Sequence, residues 1–409
     1  MKQLNKNHVF ISTILAFALI PLSGFATDIY LPSFPTMAKL FGTSQADIQL
    51  SLVVFIVSSG VSQLFVGSIV DSFGRYRLTL ASLAIFAITC IVIALSNSVT
   101  VVLAMRVIQG ITVALIVVSK RAFIMDVHSG EKLKHYTSLF SIIWAMAPIV
   151  APFLGGFLHH YFGWQSNFYF LAAATIVLIA LEMKYSGETI KEYHAFNFRS
   201  LLRTYGSKLS TPDFALTLAI LGFTYSMVMM YNLASPFIIE QVFNQSPVVT
   251  GNAALLSGLA ILVGGLISKA TIKKSIFSKM KVVTPLLLLF PLLLIVTMTY
   301  FQSLSLMITI VFLLHVVSGF TFNTFYAYAF GRFSTHAGIV SGLTGGGLYI
   351  ITSIVSYTMA GLLQVQTPLM LGVGYSIVTL LILSGFVGFT YYKRHVNEHI
   401  SSELKTAAS

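Results

Sequence analysis

Charge is what this 409-residue chain lacks most: Asp, Glu, Lys and Arg together make up 9% of it, and only 12 residues are acidic. A soluble domain carries about 25% charged residues, so a water-covered surface of this size is excluded. Cysteine is also nearly absent. The single Cys90 excludes an intrachain disulfide and any zinc site built on paired cysteines. The adjacent His159 and His160 read as an interfacial pair rather than a metal site. No phosphate loop, Ser-His-Asp arrangement or His-rich metal set is visible, so no metal, no cofactor and no enzymatic role are expected.

What is present is apolar. The hydrophobic set makes up 56% of the residues, and the mean hydropathy is +0.87. A spanning helix takes roughly 20 apolar residues, so a dozen would use about 240. The expected class is an all-α polytopic membrane protein. The 24 Lys and Arg give a net charge of +12. In a soluble protein that surplus would suggest nucleic acid; here basic loops beside a lipid bilayer account for it, and no nucleic-acid partner is expected.

Apolar stretches separated by polar breaks predict twelve spans, at about 9–36, 47–69, 78–97, 99–121, 137–158, 167–185, 213–240, 250–270, 281–300, 303–328, 338–364 and 367–392. Lys2 and Lys6 ahead of the first, with Gly24-Phe25-Ala26 inside it, imitate a signal peptide. The run is long enough to span, so it is read as an uncleaved helix. The longest connection divides the chain into six-span halves, residues 1–185 and 213–409, joined by a cytoplasmic loop at 186–212. Two repeats of six suit a transporter. Within the loop, Phe198, Leu201, Leu202 and Tyr205 share one helical face, which fits either a short helix on the inner headgroups or an unstructured linker. All Lys and Arg except Lys39 and Arg106 fall on one side when both termini are cytoplasmic.

A charge at mid-bilayer costs about 2.5–3.5 kcal/mol on insertion scales and marks function or a partner. Asp28 and Arg106 are such charges. At about 1.5 Å per residue, both lie roughly 10–15 Å below the outer surface in the same half. They read as a fixed ion pair or as a proton-binding carboxylate tuned by an arginine. Burial disfavours an ionised carboxylate and a nearby guanidinium favours it. A carboxylate whose distance to Arg106 changes between two conformations would therefore gain and lose a proton. Tyr30, Gln109, Tyr231, Asn232, His315 and Asn323 are candidate polar groups of a substrate cavity, although His315 also fits a hydrogen-bonded packing role. Met227, Met229 and Met230 are candidates for an adaptable apolar wall.

Four motifs carry a family resemblance. Gly67 to Arg77, with Asp71, Gly74 and Arg75, resembles the G-x-x-x-D-x-x-G-R-[RK] loop of the major facilitator superfamily, with Tyr76 ahead of Arg77. Arg106-Val107-Ile108-Gln109-Gly110 is similar to its helix-4 motif R-x-x-Q-G. Ala147-Pro148, Ala151-Pro152 and Gly155-Gly156 are similar to the proline-glycine motif of drug:proton antiporters. The string Thr27-Asp28-Ile29-Tyr30-Leu31-Pro32-Ser33-Phe34-Pro35 resembles the bicyclomycin/chloramphenicol-resistance subfamily, supported by Arg121-Ala122, Asp126, His336-Ala337-Gly338 and Ser341. Met125 replaces a common arginine, Gln165 follows Gly163-Trp164 where arginine is common, and the second-half loop (Gly265, Lys269) has no acid matching Asp71.

The resemblance implies a major facilitator fold of twelve transmembrane helices in two six-helix bundles, in a bacterial inner membrane. It also implies export of a small amphipathic compound or drug against protons by alternating access, with the protein a monomer. Asp28 and Arg106 would couple protons. Gly67, Asp71, Gly74, Arg75, Arg77 and Asp126 would form a cytoplasmic gate, with Asp71 meeting the start of helix 11 near Gly338. Pro148, Pro152, Gly155 and Gly156 would be a hinge. Export of an endogenous metabolite such as a siderophore, proton-coupled uptake, and a non-transporting membrane sensor are the rival readings.

Overall fold

The structure, a computed structural model, describes residues 2–190, 192–193, 198–333 and 337–407, without the side chains of 134, 138, 140–145, 200, 337–339, 362 and 396–407. Among the described residues, ten helical runs are long and apolar enough to cross a membrane. They are span 1 (Lys6–Phe41), span 2 (Gln45–Phe73), span 3 (Arg75–Leu95), span 4 (Val99–Val127), span 6 (Gln165–Tyr185), span 7 (Pro212–Val242), span 8 (Pro247–Ala270), span 9 (Ile276–Tyr300), span 10 (Leu304–Gly331) and span 12 (Pro368–His395). Helices Gly130–Phe162 and Ala337–Leu362 fill the fifth and eleventh places as spans 5 and 11. Sequence hydropathy understates several of these helices at the face carrying the basic loops. Span 5 begins at Gly130 rather than 137, and span 4 runs to Val127 rather than 121. The extra turns carry charges, which an apolar window does not count.

Span 1 is one crossing built from pieces. An α-helix over Val9–Leu19 gives way at Pro21 to a second over Leu22–Asp28, and a 3₁₀ turn at Leu31–Ser33 leads into Phe34–Phe41. Pro21 and Pro32 have no N–H to donate and crowd the preceding turn, which explains both breaks. Gly42, at φ +60°, closes the last piece in the left-handed region that glycine enters freely. Asp28 is therefore the final residue of a broken helical segment, where carbonyls lack intrahelical partners.

The two halves share one packing scheme. In the first, span 2 lies along span 4, span 3 on spans 4 and 6, and span 1 against span 5. In the second, span 8 lies along span 10, span 9 on spans 10 and 12, and span 7 against span 11. The match is one to one when six is added to each number. The halves meet where span 2 crosses span 11 and span 5 crosses span 8, two contacts that the same operation exchanges. One apolar core lies within the second half, and the other fills the first half and runs into span 7 at Val228, Met229, Leu233 and Phe237.

Residues Phe198–Leu209 form a helix between the halves. Its buried side chains are Leu201 and Tyr205, while Phe198 and Leu202 are about half exposed. Tyr205 donates to the Leu64 carbonyl on span 2 at 2.6 Å, and Phe198 stacks on Phe65. The helix also touches spans 7 and 11. It is a helix rather than an unstructured linker, and it is docked on protein at both halves.

Candidate functional site

Asp28 faces the boundary between the halves and is buried. Its Oδ1 accepts a long hydrogen bond, 3.4 Å, from Nδ2 of Asn232 on span 7. One residue further along span 7, the Leu233 carbonyl accepts from Gln49 of span 2 at 2.8 Å. Beside Asp28 is a small cavity of about 20 Å³, bounded by Thr27, Phe55, Pro148, Tyr225, Met229 and Tyr349. Both halves thus contribute to its wall, and Asp28 supplies its carboxylate.

Arg106 is fully buried behind that wall. Nη1 donates to the Ala26 carbonyl at 2.9 Å and to Gln109 Oε1 at 2.8 Å, and Nε donates to the Ser51 carbonyl at 3.4 Å. The Ala26 carbonyl belongs to the last turn before the break in span 1, so the broken helix supplies an acceptor. The guanidinium lies 4.0 Å from the Phe55 ring centre and 4.6 Å from that of Tyr30. Tyr30 and Gln109 support this cation rather than lining the cavity: Tyr30 bonds to Ser51 at 3.0 Å, and Gln109 donates to Cys90 Sγ at 3.2 Å. Among the described residues, Asp28 and Arg106 form no direct ion pair, and Arg106 Nη2 is buried without a partner. A fixed Asp28–Arg106 pair is therefore not the arrangement found.

The remaining cavity candidates lie elsewhere in the second half. His315 is buried with both ring nitrogens engaged, Nδ1 with Ser257 Oγ at 2.7 Å and Nε2 with the Tyr375 hydroxyl at 3.1 Å. The Tyr231 ring packs edge-on against it at 5.4 Å. That is a packed polar core behind the cavity. Asn323 is exposed, donates to the Gly319 carbonyl of its own helix and abuts Gly265 on span 8. Neither group touches Asp28.

At the basic face of the first half, Asp71 pairs with Arg75 at 3.2 Å, and Arg75 also contacts Asp126. Thr189 donates to Asp126 at 2.7 Å. Arg77 is exposed, and Gly67 has open space around it. Residue His336, beside the expected counterpart of Asp71 at Gly338, lies outside the described residues. The acid that caps span 3 is Glu188, from the connection after span 6. Its Oε2 accepts from the Tyr76 amide, and its Oε1 accepts from the amides of Arg75, Thr189 and Ile190, each at 3.1 Å. Gly74, at φ +91°, passes so close that a Cβ would sit 2.6 Å from the Glu188 carboxylate.

Two further charge sites escaped the sequence reading. Lys120 on span 4 pairs with Glu182 on span 6 at 2.6 Å, both buried. Asp213, buried at the start of span 7, accepts at Oδ2 from Tyr328, Arg332 and Lys393 at 2.6, 2.8 and 2.7 Å, joining spans 7, 10 and 12. Lys120 and Glu182 both fall inside the apolar ranges read from sequence, and that was the available signal. The proline-glycine region of span 5 forms a seam. A Cβ on Gly155 would lie 1.6 Å from the Ile29 carbonyl, and one on Gly156 would lie 2.6 Å from that of Pro247. Gly251 and Gly258 of span 8 approach Pro152 and Ile149 in the same way. Pro148 borders the cavity.

A family model described as Major Facilitator Superfamily matches residues 16–357. The chain belongs to the major facilitator superfamily. It is 31% identical over 337 residues to the uncharacterized MFS-type transporter YdgK of Bacillus subtilis (strain 168), covering 80% of this chain and 83% of that one. It is 25% identical over 334 residues to multidrug resistance protein MdtL of Salmonella heidelberg (strain SL476), covering 81% and 83%. It is 32% identical over 199 residues to the bicyclomycin resistance protein homolog of Haemophilus influenzae; that match covers 49% of this chain and about half, 50%, of the relative. Relatives so named agree with the subfamily resemblance carried by Asp28 to Pro35. Two solved structures share the fold. A bacterial homolog of the human lysosomal transporter Spinster superposes with a TM-score of 0.68 at 14% identity, covering 95% of this chain and 98% of that one. A D-xylose-proton symporter superposes with 0.66 at 14%, covering 92% and 97%. A member of this superfamily is a multi-pass carrier of small molecules, not an enzyme.

Proposed function

We propose that the protein exports small amphipathic compounds, drugs among them, from a bacterial cell in exchange for protons. Transport is by alternating access in the inner membrane, with both termini cytoplasmic and the protein a monomer. Residues 1–185 and 213–409 rock against each other, and 186–212 links them. The observation that carries this reading is a buried carboxylate at the boundary of the halves, bonded across it to Asn232 and beside a cavity.

Asp28 is the proton-coupling group and Arg106 its regulator. The unpartnered Nη2 of Arg106 supports this role. It is a donor held in reserve, which a small shift of the broken span 1 would bring toward Asp28. When the two approach, the ionised carboxylate is favoured; when they separate, the protonated form is favoured. One proton crossing 100 mV is worth about 2.3 kcal/mol, enough to drive a solute roughly fortyfold uphill. The Asp71–Arg75–Asp126 contacts serve as a latch at the cytoplasmic face.

The test is a proteoliposome assay with an imposed pH gradient, screened against drugs and metabolites. Wild type should drive uptake into inside-out vesicles when the lumen is acidic. Asp28→Asn should abolish gradient-driven accumulation while still folding and inserting. Wild-type accumulation in that variant would refute the role of Asp28.

A further inference from the structure

Between Glu240 and Glu398 the sequence holds no acidic residue, yet five lysines fall within Lys269–Lys281, where span 8 turns into span 9. Lys269, Lys273, Lys274 and Lys281 are exposed. Lys279, in the first turn of span 9, is buried, with 8% of its surface exposed. Its ammonium donates to the Ser268 carbonyl near the end of span 8 at 3.2 Å and lies 5.5 Å from the Phe320 ring centre on span 10. Lys279 also lines a small cavity of about 10 Å³ with Val283, Thr324 and Phe386, between spans 9, 10 and 12. Among the described residues, none of the five lysines has an ion pair.

A lysine at the end of a span ordinarily runs its stem out to the headgroups; Lys279 is turned inward instead. An ammonium has three donors, and the Ser268 carbonyl takes one without cancelling the charge. A buried cation without a counter-charge is costly, and the positive end of the span 9 backbone adds to the same field. The first half shows how such a place is neutralised. At the corresponding ends of spans 2, 3 and 4, Asp71 and Asp126 flank Arg75. The second half has Lys269 near the end of span 8 and Arg332 after span 10, and Arg332 is engaged with Asp213. The anion therefore has to come from outside the chain. The surroundings are apolar: Ile272 sits exposed among the lysines, and Val282 of span 9 and Val387 of span 12 are largely exposed. Acyl chains therefore lie beside these cations.

We propose that the turn between spans 8 and 9 binds an anionic phospholipid. One phosphate oxygen meets the ammonium of Lys279 at the cavity, which has room for a single oxygen atom. Lys273 and Lys274 hold the rest of the headgroup, and the acyl chains lie on the exposed apolar side of spans 9 and 12. Basic pockets between spans suit such headgroups. The lipid gives the second half the counter-charge that Asp71 and Asp126 give the first. The inference goes beyond the transport reading and holds whatever compound is carried.

The test uses the purified full chain, delipidated in a nonionic detergent, with three probes: dioleoylphosphatidylglycerol, dioleoylphosphatidylcholine and inorganic phosphate. Bound lipid is counted by native mass spectrometry. At equal concentrations wild type should retain phosphatidylglycerol roughly fivefold or more over phosphatidylcholine, and inorganic phosphate should not displace it. Lys279→Gln should bring the two lipids within about twofold and bind phosphatidylcholine as wild type does, which also shows that the variant is folded. Lys273→Gln with Lys274→Gln alters exposed side chains only and should lose part of the preference, so it decides the matter if Lys279→Gln does not fold. A photoactivatable phosphatidylglycerol should crosslink within Ser268–Val283. Equal retention of the two lipids by wild type, an unchanged preference in Lys279→Gln or in the double variant, crosslinks confined to other segments, or displacement by inorganic phosphate would overturn the proposal.

Discussion

Replacing Glu188 by Gln changes one oxygen to an NH2 group and removes one charge, with almost no change of shape. The carboxylate now accepts four backbone amides, three at Oε1 and one at Oε2. A glutamine turned the best way keeps the three and sets its own donor against the Tyr76 N–H. One hydrogen bond to a charged group is lost, about 1.5–3 kcal/mol, together with a negative charge at a helix start, about 0.3–1 kcal/mol. The total, about 2–4 kcal/mol, falls on the first turn of span 3 and so on the backbone that carries Arg75. At roughly 1.4 kcal/mol per tenfold, opening of that turn should rise about thirtyfold to several hundredfold. Hydrogen–deuterium exchange of the peptide covering Gly74–Leu78, in nanodiscs, reads this directly. Glu188→Asp keeps the charge and should fall between the two. Exchange in Glu188→Gln within twofold of wild type would refute the capping role.

Other consequences are equally open to measurement. Arg106→Lys keeps the charge but loses the planar fork that serves Ala26, Gln109 and Ser51 at once; transport should fall and its pH optimum move, whereas an unmoved optimum would leave Arg106 a structural brace. Asp71 is partly exposed and paired four residues along its own helix, so Asp71→Asn should cost only about 0.5 kcal/mol of folding. It should still shift spin-label distances between the basic-face ends of spans 2 and 11 toward the open state; an unchanged distribution would reduce the loop to a topology signal. Gly155→Ala drives a Cβ into the Ile29 carbonyl and should destabilise by about 1–3 kcal/mol. Gly67→Ala, facing open space, should melt like wild type, and equal melting of the two variants would contradict the close approach.

Much of this molecule was legible before folding. Spans are written in apolar length, and Asp28 and Arg106 stand out because a charge in such a run has no local excuse. Their relation was not legible. Whether two interior charges touch depends on helix rotation and on the breaks at Pro21 and Pro32, and here Arg106 bonds to the Ala26 carbonyl before Asp28 and lies over the Tyr30 ring after it, forming no ion pair with its carboxylate. Glu188 was invisible for another reason. It is one polar residue in a polar connection, and its partners at Arg75 and Tyr76 lie more than a hundred positions earlier. Asp213 and Lys393 are separated by 180 positions. Pairings of that reach are settled by the packing of whole helices. Asn323 misled for the opposite reason: a polar side chain in an apolar run drew attention, yet its own helix supplies its acceptor.

The seam between spans 5 and 8 behaves less like meshed gears than like two planed boards. Where Gly156 meets the Pro247 carbonyl and Gly251 meets that of Pro152, main chain lies against main chain and there are no teeth to disengage. Parting such surfaces forfeits dispersion contacts, each of about 0.1–0.2 kcal/mol, but asks no side chain to leave a slot or change rotamer. A contact of this kind can separate and re-form without any change of rotamer. Bulk added along it acts as a wedge, whatever its chemistry.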